Sequence, residues 1–395
     1  MPHIKVKPFN RDILDKHETF NRFVTFRAIF EDEELWGVEY ENNKFLLNLK
    51  VDSDGNYLLK YDKVTRPLKV DTLKASIAKI AQILELNILH SNITTIKTKA
   101  PLASEYQKEV KDFESIEFDK QEVMLEVGFG SGKHILHQAK ANPDILYIGI
   151  EIHTPSAQQL LKQIKLQNLN NIWVVNYDAR LLLGMFASNS LKKIYVHFPV
   201  PWDKKPHRRV ISPSFLAESM RVLKLGGTLE LRTDSDNYFW YSLETFFSHP
   251  KIDVDVRKNR ELEVVSKYEA RWRRQEKDIY DVYVKCNESS EQIKRDYKFS
   301  FDKITLKSDL VSQLPKESQI FESFFIHFER IYQMQDESGE LIKVAFGSFD
   351  RPEHKFIVIR DQEIYYLPSN PVATATNYQA HQKLREFLDV QQQCN

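Results

Sequence analysis

The run Met124-Leu125-Glu126-Val127-Gly128-Phe129-Gly130-Ser131-Gly132-Lys133 reads as a buried strand that breaks into a glycine turn and restarts as a helix near Lys133. Glycines in a GxGxG spacing sit where the chain must reverse sharply and where backbone can approach a ligand closely. A tight strand-to-helix turn without a ligand has the same look, so the turn needs context. Gly132-Lys133 also matches the end of a phosphate-binding P-loop. Val127 and His134, however, stand where that motif needs its first glycine and its Ser/Thr, which disfavours ATP-type phosphate binding.

Outward from the turn, short apolar runs alternate with amphipathic stretches. The runs are Val123 to Phe129, Ile145 to Ile152, Ile172 to Tyr177, Lys193 to Phe198 and Thr228 to Arg232, with a last strand near Asp278 to Val284. Helices are predicted at Pro155 to Leu166, Pro213 to Leu223 and Asn237 to Phe247. This is the pattern of an α/β fold, a parallel sheet with helices on both faces. Glu151 ends the second run and Asp178 the third, at the carboxyl edge where such sheets bind ligands. Either acid alone reads equally well as a surface helix cap, and Asp178 can cap a helix starting at Ala179. Together with the glycines they describe an adenosine pocket: Glu151 can accept from ribose hydroxyls and Asp178 from an adenine amine. A nicotinamide cofactor and S-adenosylmethionine both fit such a pocket. Glu126 favours the second, since a carboxylate there can neutralise a methionine ammonium but would repel a pyrophosphate.

After the fourth run comes His197-Phe198-Pro199-Val200-Pro201-Trp202-Asp203-Lys204-Lys205, then Pro206-His207-Arg208-Arg209. Two prolines separated by one residue fix an extended loop at the same edge. Trp202 offers a stacking face and the Lys/Arg cluster can bind phosphates; the plain alternative is a solvated basic loop with a buried Trp anchor. With this loop, the chain resembles the bacterial tRNA (guanine-N7)-methyltransferase family, whose fold is the Rossmann-like class I S-adenosylmethionine-dependent one. The matching pieces, in the family's order across residues 122 to 286, are Leu125 to Gly130, Gly149 to His153, Tyr177 to Ala179, Phe198 to Trp202, Leu225 to Gly227, Arg232 to Asp234 and Ser266 to Glu269. The resemblance implies that Glu126, Gly128, Gly130, Glu151 and Asp178 hold S-adenosylmethionine. It further implies that Lys204, Asp234, Ser266, Lys267, Tyr268 and Glu269 contact the guanosine, and that the substrate is guanosine 46 in the variable loop of tRNA.

The family usually reads Phe-Pro-Asp-Pro-Trp, with that aspartate regarded as catalytic, and here the position is Val200. Guanine N7 carries a free lone pair and no proton, so its attack needs no general base and activity is expected to be retained; Asp203 and Asp234 are the candidates to compensate. A second basic stretch, Arg257, Lys258, Arg260, Lys267, Arg271, Arg273 and Arg274 with Tyr268 and Trp272 interleaved, is expected to touch phosphates, although Glu261, Glu263, Glu269 and Glu276 dilute its charge. His134 and His137 lie on one predicted helix without a third ligand and read as surface or packed residues, so no metal is expected.

Lys plus Arg equals Asp plus Glu at 56 each, so no global field draws the chain to a polyanion and any RNA site must be a local patch. The two cysteines, Cys286 and Cys394, lie outside any zinc or disulfide spacing, which suits a reducing compartment. With no apolar stretch of membrane-spanning length and no signal core, the expected location is cytoplasmic, with tRNA as partner and no membrane. The first hundred residues alternate apolar and polar positions at Phe23 to Phe30, Lys44 to Val51 and Tyr57 to Tyr61, with a turn at Asp54-Gly55 and a helix at Asp71 to Leu86. A charged connector is read at Glu105 to Gln121. After Glu291 the pattern is again β-like: Phe321 to Tyr332, Leu341 to Phe349 and Phe356 to Tyr366, then a helix at Tyr378 to Gln391. Three domains follow: 1–118, β-rich; 119–292, methyltransferase; 293–395, α+β. A homo-oligomer is compatible with this sequence and not specified by it. Competing readings are a class I methyltransferase with another substrate and a non-catalytic module that binds tRNA and cofactor.

Overall fold

Strand Val123–Val127 is buried along its whole length, as a central strand covered on both faces must be. It lies inside an eight-stranded sheet whose order is Asp253–Lys258, Tyr280–Lys285, Leu223–Thr233, Leu191–His197, Val123–Val127, Leu146–Ile150, Ile172–Val175 and Gln107–Lys108. The strands from Leu223–Thr233 to Gln107–Lys108 are parallel to their neighbours, and the two at the other end run antiparallel. From Val123–Val127 the chain first builds outward on one side and then crosses to Leu191–His197 on the other. The glycine turn therefore leaves the sheet where the strand order reverses, the crevice in which open α/β sheets bind ligands. Helices Lys133–Ala141 and Thr154–Leu166 bury Ile135, Leu136, Ala157, Leu160 and Ile164 on one face, while Pro213–Val222 and Asp236–Phe247 bury Phe215, Leu216, Tyr238 and Phe246 on the other.

The computed structural model describes residues 2–65, 70–93, 104–113, 118, 121–260, 277–293, 296–306, 310–361 and 363–389. The chain divides into two units, Lys99–Asp296 with Val372–Thr374, and Met1–Thr98 with Tyr297–Pro371 and Ala375–Asn395. This corrects the reading of 1–118 and 293–395 as separate domains: both flanks enter one antiparallel sheet. Its order is Glu363–Leu367, Glu353–Arg360, Gly339–Gly347, Phe325–Met334, Val24–Phe30, Glu33–Tyr40, Asn43–Val51, Tyr57–Tyr61, His3–Val6 and Ile88–Ser91, with Gln319–Ile320 beside Phe325–Met334. The two halves meet through the pairs Gln333↔Ile29 and Met334↔Ala28. Arg330 and Tyr332 also reach the Glu33 carboxylate, and Arg360 Nη1 donates to the Thr25 carbonyl at 2.7 Å. Phe26, Leu35 and Leu46 from the first flank share a core with Tyr332, Phe356 and Leu367 from the second. The expected connector at Glu105 to Gln121 is corrected as well, because Gln107–Lys108 is the edge strand of the parallel sheet. Among the described residues no helix is long and apolar enough to cross a membrane.

Candidate active site

The glycine turn is a backbone cradle tied to an acid. Gly128 and Gly130 adopt φ of 70° and 52°, which side-chain-bearing residues rarely hold. A Cβ placed on Gly128 would meet nothing within 4 Å, and one on Gly130 only the Gly128 carbonyl oxygen at 4.0 Å, so the turn faces open space. Gly149, on the neighbouring strand, is required for another reason: Phe129 folds back to within 2.8 Å of where its Cβ would stand. Glu151 closes the cradle. Its Oε2 accepts from the Gly130 amide at 3.0 Å and its Oε1 from the His153 amide at 2.9 Å, which leaves each oxygen a lone pair for a ligand hydroxyl. Ile152 beside it is 72% exposed, a large apolar side chain at the lip of the crevice.

Asp178 caps helix Ala179–Leu182, accepting from the Arg180 amide at 2.9 Å, and also takes Arg180 Nε at 3.1 Å and Nη2 at 2.7 Å. The cap expected from sequence is thus present, and the carboxylate stays partly exposed at the same sheet edge. Glu126 is buried and hydrogen-bonded to His134 Nδ1 at 2.8 Å. Burial works against a charge on His134, but the Glu126 carboxylate and its hydrogen bond outweigh this and hold the imidazole above its ordinary value. His134 is therefore no surface residue. Its ring also lies 4.6 Å from that of His197, which donates toward Glu230 at 3.0 Å and which burial pushes below its ordinary value.

The loop after Leu191–His197 is held from inside. Phe198 and Trp202 take φ of 50° and 46°, and the Phe198 amide donates to the Arg232 carbonyl at 2.7 Å. Arg209, assigned from sequence to the phosphate-binding cluster, is only 8% exposed. Its Nε donates to the Pro201 carbonyl at 2.8 Å, its Nη2 lies 3.4 Å from Asp203 Oδ1, and its guanidinium stacks 4.3 Å from the Tyr241 ring. Arg209 fastens the loop rather than offering a charge to RNA. Lys204 and Lys205 are exposed, and Arg208 sits 5.2 Å from the Trp202 ring. Val200 is 59% exposed and brings no acid to the edge. Asp234, at the end of Leu223–Thr233, pairs with Lys277 at 2.9 Å. Ser266, Lys267, Tyr268 and Glu269 lie outside the described residues, as do Arg271, Trp272, Arg273 and Arg274. The chain on either side of them is joined: the Asn259 amide donates to the Ile279 carbonyl at 2.8 Å and Asn259 Nδ2 to Asp278 at 2.9 Å. In the basic stretch, Arg257 pairs with Asp255, Lys258 with Asp278, and Arg260 donates to the Tyr283 hydroxyl.

A family described as "Putative methyltransferase" matches residues 120–282. A tRNA (guanine-N(7)-)-methyltransferase of Wolinella succinogenes is 39% identical over 90% of this chain and 91% of its own. The chain belongs to the tRNA (guanine-N7)-methyltransferase family. Other members are a Campylobacter jejuni enzyme of serotype O:23/36, 40% identical over 89% of both chains, and a Helicobacter acinonychis enzyme, 39% identical over 88% of this chain and 87% of its own. S-adenosylmethionine is the cofactor of this methyltransferase, and the open cradle over Gly128 and Gly130, with the spare lone pairs of Glu151, fits its adenosine half. The anchoring role of Arg209 has a direct consequence. Arg209→Ala removes a charged hydrogen bond whose loss costs about 1.5–3 kcal/mol, so kcat/KM on tRNA is expected to fall roughly ten- to a hundredfold with cofactor affinity little changed. Arg209→Lys should not restore it, lacking the planar fork. Unchanged kcat/KM in Arg209→Ala, measured on protein with a wild-type melting curve, would remove the loop from the reaction.

Proposed function

We propose that the enzyme transfers a methyl group from S-adenosylmethionine to N7 of guanosine 46 in the variable loop of tRNA, in the cytoplasm. In this reading Glu126, Gly128, Gly130, Glu151 and Asp178 hold the cofactor, while Lys204, Asp234 and Ser266 to Glu269 contact the guanosine. The observation that carries it is the Glu151 carboxylate bridging the glycine turn and the next loop at the point where strand order reverses.

The cofactor supplies a methyl group already activated on a sulfonium. The protein's task is then placement, because guanine N7 needs no deprotonation. Holding two reactants in line is worth roughly 7–11 kcal/mol of barrier, more than any single acid contributes. The arrangement agrees with that division of labour. Val200 carries no acid, Asp203 lies beside Arg209, and Asp234 lies beside Lys277, so none of these positions presents a free base. Lys204 remains exposed, and in this reading Asp234 accepts from the N1 and N2 donors of guanine in place of Lys277.

The test is labelled S-adenosylmethionine with unmodified tRNA, followed by chemical cleavage at 7-methylguanosine. Label at one variable-loop guanosine is expected. Val200→Ala should leave kcat near the wild-type value, because the exposed Val200 side chain brings no acid or base to the transfer. No label, with tRNA and cofactor both bound, would overturn the reading in favour of a binding module.

A further inference from the structure

Near the glycine turn, buried and half-buried acids and bases alternate on one face of the sheet. Glu126 comes from strand Val123–Val127, Lys193, Tyr195 and His197 from Leu191–His197, Glu230 from Leu223–Thr233, and His134 from the first turn of helix Lys133–Ala141. Glu230 is committed, with Lys193 Nζ at 2.5 Å and His197 Nε2 at 3.0 Å. Glu126 is only 4% exposed, and among the described residues its one hydrogen-bonding and ion-pair partner is His134. The rings of Tyr195 at 4.7 Å and His197 at 4.6 Å pack against His134, and the charges of Glu230 and Lys193 act on it in opposite senses, the first favouring its proton and the second opposing it; on its own helix Lys133 and His137 point to solvent.

The charges of this face balance as it stands. Glu230 answers Lys193, and Glu126 answers His134, whose charged form the carboxylate favours. A carboxylate this buried must be paired, and the pairing is what holds a proton on the imidazole. An ammonium arriving at Glu126 would set two cations against one buried carboxylate, beside a helix N-terminus that already disfavours cations, and that competition weakens the hold on the imidazole proton. Of the two cations, only the imidazole can shed a proton near neutral pH.

We propose that His134 is a positioning residue for Glu126 that gives up its proton to solvent when the ammonium of the methyl donor binds, making cofactor binding proton-linked. This rests on the reading that Glu126 faces the methionine end of the cofactor. The proton leaves Nε2, and Nδ1 keeps its hydrogen and its bond to Glu126, so the carboxylate stays oriented while its whole charge passes to the ligand.

Calorimetric titration of the full chain with S-adenosylhomocysteine, which keeps the ammonium, tests this in two buffers of different ionisation enthalpy. Wild type should release up to one proton per ligand, and affinity should rise by up to roughly tenfold per pH unit until His134 is neutral in the free protein. Methylthioadenosine, which has no ammonium, should release none. His134→Gln keeps a donor toward Glu126 but cannot titrate; it should bind without proton release and with pH-independent affinity. A wild type that releases no proton at any pH, or a His134→Gln that releases as many as wild type, overturns the proposal. Glu126→Gln separates this from the underlying reading. If it binds S-adenosylhomocysteine as tightly as wild type, Glu126 does not serve the ammonium and both fall. If it binds weakly while wild type releases no proton, the cofactor reading stands and the His134 proposal alone fails.

Discussion

Glu151→Ala is expected to weaken S-adenosylmethionine binding by roughly two to four orders of magnitude, because two charge-assisted hydrogen bonds of about 1.5–3 kcal/mol each are lost with the carboxylate. The side chain acts in two directions at once. Toward the protein it holds the Gly130 and His153 amides, which fixes the glycine turn against the loop after Leu146–Ile150. In the proposed reading it offers the remaining lone pairs to the ribose diol, and the turn and the sugar are then placed by the same group. Glu151→Gln should lie between the two, since its amide nitrogen must face either the Gly130 or the His153 amide, donor against donor. Folding should survive both changes, as the acid is half-exposed and the surrounding backbone keeps the Gly128 to Ile150 and Glu151 to Val175 ladder bonds. Equilibrium binding together with a melting curve decides it. Affinity within threefold of wild type would show that the acid is a turn staple only.

The methyltransferase unit was legible in the sequence because parallel strands are buried on both faces and so read as short unbroken apolar runs, such as Val123–Val127 and Leu146–Ile150. Strand Gln107–Lys108 was not, since two residues at a sheet edge carry no periodicity. Union of the flanks was also invisible. Hairpins such as Asn43–Val51 with Tyr57–Tyr61 announce themselves locally through the Asp54-Gly55 turn, whereas Met334↔Ala28 joins residues far apart in the chain, and no local pattern encodes a distant partner. In the site, residue types at strand ends pointed to Glu151 and Asp178 correctly as edge residues. Charge counting failed for Arg209, and the pattern left His134 open between surface and packed, because neither can tell a side chain that faces solvent from one that turns inward. Arg209 turns inward after the short helix Pro206–Arg208, and His134 faces the sheet from a helix whose buried stripe includes Ile135 and Leu136.

The largest stability effect is expected at Arg232, one strand position before Thr233 and two before Asp234. It faces Asp281 in the antiparallel register, its Nε bonded to Asp281 Oδ1, and both side chains are almost wholly buried. Burial pushes the Asp281 carboxyl up and the guanidinium draws it back. Arg232→Ala strands that carboxylate, and breaking a buried pair by removing one partner costs about 3–5 kcal/mol. For a unit of this size, that corresponds to a fall in Tm of roughly 6–20 °C. The pH dependence has a definite sign. A carboxyl whose folded pKa lies above its unfolded one binds more protons when folded, so stability falls as pH rises through the window between the two. Without the guanidinium that window widens upward, and Arg232→Ala should be damaged least in acid and most at alkaline pH. Arg232→Met combined with Asp281→Leu should recover most of the loss, because an apolar pair of similar volume needs no charge compensation. Melting curves of the single and double variants across pH measure all of this, and an Arg232→Ala that melts like wild type would mean the buried acid is already neutral. In that case the pair contributes direction rather than stability, aiming the end of strand Leu223–Thr233 and with it Asp234.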